Sequence, residues 1–569
     1  MSQSTDSTGA TPRPTGAEGG AGSGGGRWGT GGTNGPAGAR ANLASVARRS
    51  IIKLGGGIAN GIFGFVLVIV VSRGLGPAGT GAFFLGLALF TIVSNFAELG
   101  ADDGLMRYIP RYRALGHTQD LRRVMQIALI PVAAIGTVFA VLLYVFAEPL
   151  GSFFTHGRHA ADLVPYIHVL APWLPLSAAS TVIVSAGVGF GTVGPVVAVD
   201  NFGKPGVRPL LVYAVIAAGL GATAIALAWS IPIGVGLVVG GVWLARLTRR
   251  AERVDDYDRR APVSPAGPMA SEFWKFATPR AFASVFATIV AWVATLMLGA
   301  LQGTKEAGVY AGASRYLIIG GLFVQALMLA IAPQISALLT TGDRRGARAV
   351  YQTVTVWAVM FTWPLYLALA VFSPLFLAIL GQKFVVASTA LTIGCFGVLV
   401  SMATGPISAV ILMSGLSMWN LLNTIVGLGL NIGLSFWLIP SHGIDGAALA
   451  SAISFSIYNF MGVAEIWFLL RLEPVGPGFG VVTAGATVCF GGLLLLARVL
   501  FGTDLPVFLV AGTIATLLYG VLILRFRHTL HLGALRDAMR ARGLGRANGG
   551  PGEGSADGGR HRAKPRFDR

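Results

Sequence analysis

The chain has 569 residues, 54% of them hydrophobic and only 12% charged, with a mean hydropathy of +0.70. That composition excludes a soluble globular fold and points to a chain that lives mostly in lipid. Its net charge of +18 raises a nucleic-acid role, and the charge distribution along the chain decides that question.

Residues 1–45 are rich in Gly, Ser, Thr, Pro and Ala and poor in large apolar side chains, which predicts a disordered tail. Arg48-Arg49-Ser50-Ile51-Ile52-Lys53 imitates a twin-arginine export signal, but it reads more simply as the basic flank of a first membrane segment. Fourteen apolar segments follow, at 51–72, 81–99, 124–147, 164–186, 207–229, 231–248, 277–300, 311–338, 353–379, 387–413, 418–439, 446–470, 480–501 and 506–525. Each is near the ~20 residues a helix needs to cross ~30 Å of hydrocarbon. Only helices fit open-ended spans, because lipid cannot satisfy a backbone N–H or C=O. The predicted fold is therefore all-α and polytopic, of about 14 transmembrane helices. Residues 528–569 read as a basic tail, largely disordered.

The gaps between segments carry the orientation. The even-numbered gaps hold 19 Lys and Arg residues and the odd-numbered gaps five, namely Arg73, Arg158, Lys305, Lys383 and Arg498. Positive-inside bias then places both basic tails in the cytoplasm of a plasma-membrane protein. No basic and aromatic surface outside the membrane supports nucleic-acid binding.

The chain also repeats itself. Gly76-Pro77-Ala78-Gly79-Thr80-Gly81-Ala82-Phe83 returns as Gly303-Thr304-Lys305-Glu306-Ala307-Gly308-Val309-Tyr310, 227 positions later at every residue. A Gly turn, an acid and an Arg-rich start follow segment 2 (Gly116, Asp120, Arg122) and segment 8 (Gly342, Asp343, Arg344). Six segments is an even number, so the halves share one orientation. The expectation is two six-helix lobes (46–248 and 277–472) in parallel pseudo-repeat, with a path between them. Residues 249–276 would link the lobes on the cytoplasmic side, and the last two helices, within 473–527, lie outside the repeat.

Ser72-Arg73-Gly74-Leu75-Gly76-Pro77 with Gly81, then Gly100 and Arg107-Tyr108, resembles the opening of polysaccharide-precursor flippases. Gly308-Val309-Tyr310 with Ser314-Arg315, Pro333 and Gly342-Asp343 continues the likeness. Leu438-Ile439-Pro440 with Gly443-Ile444 and Gly446-Ala447-Ala448 is its most characteristic part. The resemblance is to the multidrug/oligosaccharidyl-lipid/polysaccharide exporter superfamily. It implies alternating access that moves a polyprenyl-diphosphate-linked glycan from the inner to the outer leaflet, for surface polysaccharide synthesis. The implied partners are that lipid-linked glycan, membrane lipid, and glycosyltransferases or a polymerase of the same pathway. Many relatives carry an Asp in the middle of segment 7, where this chain reads Ala291-Trp292-Val293-Ala294-Thr295, so a role assigned to that Asp does not transfer.

A diphosphate needs cations, and arginine's fork suits it. Lys53 and Arg280, 227 positions apart, are the candidate lower pair. Arg73 and Arg315, toward the external ends of segments 1 and 8, are the candidate upper pair. Polar stripes offer candidate cavity-lining groups: Asn60 in segment 1, Asn95 and Glu98 in segment 2, Asn423 in segment 11, and Tyr458 and Glu465 in segment 12. Such stripes line either a hydrated path or a helix–helix seam. Glu98 and Glu465 are the acids expected to matter for coupling or closure.

Gly189-Phe190-Gly191-Thr192-Val193-Gly194 matches the dinucleotide fingerprint by letter, but no strand precedes it. No phosphate loop, metal-ligand spacing or cofactor motif is present, so neither metal nor cofactor is expected, and no catalysis. The competing readings are a drug/cation antiporter on the same fold, an integral-membrane glycan polymerase or ligase, and a structural scaffold. The longest external loop, about Glu148 to Leu163, is thin for an active site.

Overall fold

The computed structural model describes residues 36–155, 160–254 and 263–530, and the expectations for residues 1–35, 255–262 and 531–569 fall outside them. The chain divides into a short unit ending at Ala47, helical from Pro36, and a unit from Arg48 onward that holds the other described residues. Residues 36–45, assigned to the disordered tail by their composition, are thus helical.

The described residues are helical throughout, with no strand. Eleven helical stretches are long and apolar enough to cross a membrane. The difference from fourteen has a physical origin. α1 (Pro36–Glu98) is two rods meeting at Gly76 (φ 66°, ψ −176°), and α15 (Ser417–Glu465) is two rods meeting at Gly443 (φ 55°, ψ −126°). A further rod, the π-helical turn Val196–Gly203 running into α7 (Lys204–Ala217), lies in neither. Here the sequence reading is corrected. Segments 5 and 6 do not divide at residue 230: the chain breaks at Gly219 (φ 70°), and α8 runs unbroken from Ala222 to Val254.

A second correction concerns the charged gap after segment 2. Leu99 and Gly100, both at positive φ, end α1, and residues Ala101–Ala114 then form α2. It buries Ala101, Leu105, Tyr108, Ile109 and Tyr112, a helical stripe hidden among five charged residues. It packs on α3 (Leu121–Val145), α6 (Leu174–Gly189) and α9 (Ala266–Leu301). α9 starts eleven residues before the predicted segment 7, so most of the expected linker is helix. The Glu148–Leu163 loop likewise contains the short helix α4 (Ala147–Phe154) and the start of α5 (Ala160–Leu170).

The second half runs through α10 (Thr304–Thr340), α11 (Arg344–Val371), the short α12 (Ser373–Ala378), α13 (Ser388–Thr404), α14 (Ile407–Met413) and α15. Segment 10 is interrupted at Gly405 (φ 74°) between α13 and α14. α16 (Phe479–Ala486), α17 (Leu493–Phe501) and α18 (Leu505–Arg525) follow, with α16 and α17 packed on α11.

The repeat reappears as backbone geometry. Gly303, at φ 114° and ψ −177°, bends the chain 227 positions after Gly76 in the same glycine-only region. The next helix ends close identically in each half: Gly116 N–H donates to the Arg113 carbonyl and His117 N–H to Tyr112, as Gly342 does to Leu339 and Asp343 to Leu338. Gly191 and Gly415 cap a third matching pair of helix ends. The fingerprint decoy is thus one of these caps.

The halves meet at Gly81 and Gly308, themselves repeat mates. A Cβ on Gly81 would stand 1.7 Å from the Thr304 carbonyl oxygen, and a Cβ on Gly308 would stand 2.0 Å from that of Pro77. Pro77 and Thr304 are also repeat mates, so the contact is reciprocal, as a two-fold axis between the halves requires. Because the obstacles are backbone atoms, no rotamer change relieves them. Gly81→Val and Gly308→Val should therefore keep membrane abundance but lose most function, with alkylation of cysteines placed near this contact rising as it is held apart. Unchanged labelling in both variants would refute the contact.

Candidate functional site

Three features bridge the halves. At the glycine-turn end, Arg73 donates from Nε to the Ile379 carbonyl (2.8 Å), next to the Gly81–Gly308 contact in the chain. At the arginine-rich end, α2 docks on the first half of α9. Arg280 Nε binds Asp103 (2.8 Å), Arg111 pairs with Glu272, and Tyr108 OH donates to the Glu272 carbonyl (3.0 Å). The Phe273 ring is fully buried against Gly104, where a Cβ would meet it at 2.5 Å. These ion pairs are substantially exposed, so solvent screens them and each contributes little. A seam built this way opens at little cost.

Between the ends lies Arg315 on α10. Its guanidinium carbon sits 5.3 Å from the Phe84 ring, from the first half, and 4.6 Å from the Trp292 ring on α9. Its Nε is buried and makes no hydrogen bond within the protein. Cation–π contact with desolvated rings returns ~2 kcal/mol each, whereas burying an ion costs several kcal/mol. The aromatic faces offset part of that cost and leave a fork of N–H donors to give.

The predicted cationic pairs are therefore divided. Arg315 is partly buried, with its Nε wholly so and unbonded. Arg280 and Arg73 are occupied, the first by Asp103 and the second by a carbonyl, and Lys53 is exposed on α1. The expected lower and upper sites are not both assembled in this conformation, because two of the four head groups hold the halves together.

The polar stripes divide too. Asn423 Nδ2 donates to Glu465 Oε2 (2.7 Å), joining the two rods of α15, so this pair forms a seam. Glu98 lies near Thr181, Asp102, Asp200 and Lys204. Lys204 Nζ in turn binds Asp200 (2.8 Å) and Ser180 (2.9 Å), across the π-helical turn. Asn95 keeps its Oδ1 buried and unbonded on the same rod, whereas Asn60 is exposed. Tyr458 alone of the six lines a large cavity, within α9, α10, α13, α14 and α15. Its hydroxyl bonds Ser408 (2.8 Å) and Asn420 (3.3 Å). Sequence reasoning missed Asp103, Glu272, Lys204 and the Phe84–Trp292 pair as site members. The exactness of the 227-residue repeat around Gly81 was the signal that Phe84 stands at the junction.

Apolar helices whose glycine bends recur 227 positions apart, with a partly buried arginine near their junction, define a polytopic all-α membrane fold. The family described as "Polysaccharide biosynthesis protein" matches residues 46–339, just over half of the chain, and the chain belongs to that family. It is 26% identical over 220 residues to the "Probable low-salt glycan biosynthesis flippase Agl15" of Haloferax volcanii. That match covers 37% of this chain and 43% of the relative, so the chain spans less than half the length of the curated protein it matches. The fold is similar to that of the lipid II flippase MurJ in an inward closed conformation (TM-score 0.65, 15% identity, 82% of this chain and 97% of that one). It is also similar to an inward-facing multidrug resistance MATE family transporter of the MOP superfamily (TM-score 0.58, 16% identity, 74% and 98%). The polytopic all-α membrane fold expected from the sequence is the one found.

Proposed function

We propose that this protein is a flippase carrying a polyprenyl-diphosphate-linked oligosaccharide from the cytoplasmic to the external leaflet of the cell membrane, for surface polysaccharide synthesis. It is a transporter and not an enzyme. Family membership, the glycan flippase relative and the flippase fold support the reading, and Arg315 carries it. A partly buried guanidinium with an unused Nε donor at the junction of the halves suits a diphosphate, which cannot enter a low-dielectric path without a cation.

In this reading the halves rock about the two-fold axis. Parting of α2 from α9 frees Arg280 from Asp103, and Arg280 with Lys53 receives the head group at the cytoplasmic mouth. Closing that seam passes the diphosphate to Arg315, while separation at Gly81–Gly308 and release of Arg73 from Ile379 open the way out. Glycosyltransferases or a polymerase of the same pathway would supply and consume the substrate. A drug/cation antiporter on this fold calls for acids facing its cavity, and the large cavity beside Tyr458 has none among its described lining residues.

Arg315→Ala should abolish glycan export at normal membrane abundance, and Arg315→Lys should restore it only in part, since a single ammonium lacks the fork. Wild-type export by Arg315→Ala would remove the residue from the mechanism.

Fourteen crossings with both termini cytoplasmic complete the proposal, on the arginine bias between gaps. Cys395 and Cys489 are buried, which keeps the labelling background low. Lys305→Cys should react with an impermeant maleimide in intact cells, and Arg344→Cys only after permeabilisation. Labelling of both from one side contradicts the topology.

A further inference from the structure

The cavity beside Tyr458 has a volume of about 840 Å³, within the ~300–1,000 Å³ span of small-molecule sites. Its wall includes α9 and α10, the helices that carry Trp292 and Arg315. Among its described lining residues none is Lys, Arg, Asp or Glu, and their polar groups are hydroxyls and amides. The buried polar groups near Glu98 in the first half are of the opposite kind, with Asp200 and Lys204 paired there.

The cavity's polar side is the stripe Ser451, Ser454 and Tyr458 on α15. Ser451 Oγ accepts from Asn431 Nδ2 (3.3 Å) and from the Tyr310 hydroxyl (3.4 Å). Ser454, 3% exposed, has an Oγ with no hydrogen-bond partner in the protein. Phe455 and Tyr458 present rings nearly coplanar in tilt, 4° apart with centroids at 6.1 Å. Hydroxyls that donate and accept, amides and flat apolar plates are what a sugar's O–H groups and C–H faces need. A carboxylate, sulfate or ammonium placed there would lose its hydration and find no opposite charge.

Resting on the flippase reading, we propose that this cavity is a glycan compartment. It takes uncharged sugars close to the diphosphate that Arg315 holds, and it discriminates against uronic acids and free amino sugars at that position. The sorting principle is that the anion and the neutral sugars of one substrate are bound by separate surfaces meeting at α9 and α10.

The test uses the full-length protein, purified in a detergent without a sugar head, and three lipids. These are undecaprenyl diphosphate, the same lipid carrying a neutral disaccharide, and the same lipid carrying a disaccharide with a uronic acid. Wild type should bind the neutral glycolipid at least tenfold more tightly than the bare lipid, and the uronic form no more tightly than the bare lipid. Ser454→Leu, which fills the space, and Ser454→Asp, which charges it, should each erase the neutral-sugar gain and leave bare-lipid affinity unchanged. Retained bare-lipid binding also certifies that the variants are folded. Equal wild-type affinity for bare and neutral lipids, an equal gain from the uronic form, or a gain that survives in both variants would overturn the compartment and leave the flippase reading standing. Absence of binding to all three lipids would overturn both.

Discussion

The contact on which the architecture turns is a backbone touching a backbone. Gly81 and Gly308 approach the carbonyls of Thr304 and Pro77 so closely that a single methyl on either cannot be accommodated. Lipid offers no hydrophobic drive between helices, so close packing of small residues is what holds such a junction. Because the contact is reciprocal, it fixes the axis about which the halves are related. Neighbouring features inherit their positions from it. Gly76 and Gly303 aim the rods into it, Arg73 reaches across beside it, and Phe84, three residues past Gly81, is delivered onto Arg315.

Charge is arranged around that axis by cost. At the arginine-rich end the ion pairs are half exposed and weak, so the α2–α9 seam is held mainly by buried Phe273 and its neighbours and can part without stranding a charge. In the middle, Arg315 is partly buried without a carboxylate, a state that aromatic faces ease but do not balance. An anion arriving there gains an unused donor fork, which makes the centre attractive to a diphosphate and the ends easy to open. The same cost argument separates the neutral cavity from the cationic centre.

The sequence made the repeat readable because its marks are local. A chain bend at positive φ needs glycine, so Gly76 and Gly303, or Gly116 and Gly342, announce themselves without knowledge of the fold. The break at Gly219 was not readable, since Ala217-Ala218-Gly219-Leu220-Gly221-Ala222 is small and apolar and the hydropathy runs through it. α2 was hidden for the opposite reason: its buried stripe is set among Asp102, Asp103, Arg107, Arg111 and Arg113. Among site residues, Arg315 was legible as a cation inside an apolar segment. The partners of Arg73 and Arg280 lie 306 and 177 positions away and depend on the tertiary fold alone. Asn423 and Glu465 each looked like a path-lining group, and only the folding of α15 at Gly443 shows that they bond to one another.

The central claim is that the junction moves a lipid-linked glycan across the bilayer, and it is tested most directly in proteoliposomes. Purified protein is reconstituted with a fluorescent undecaprenyl-diphosphate-linked oligosaccharide, and the fraction exposed on each leaflet is followed with an impermeant quencher. The account predicts protein-dependent exchange between leaflets, far above that of protein-free vesicles. Exchange no faster than in empty vesicles, by protein that in the same preparation extrudes a cationic drug against an ion gradient, would contradict it.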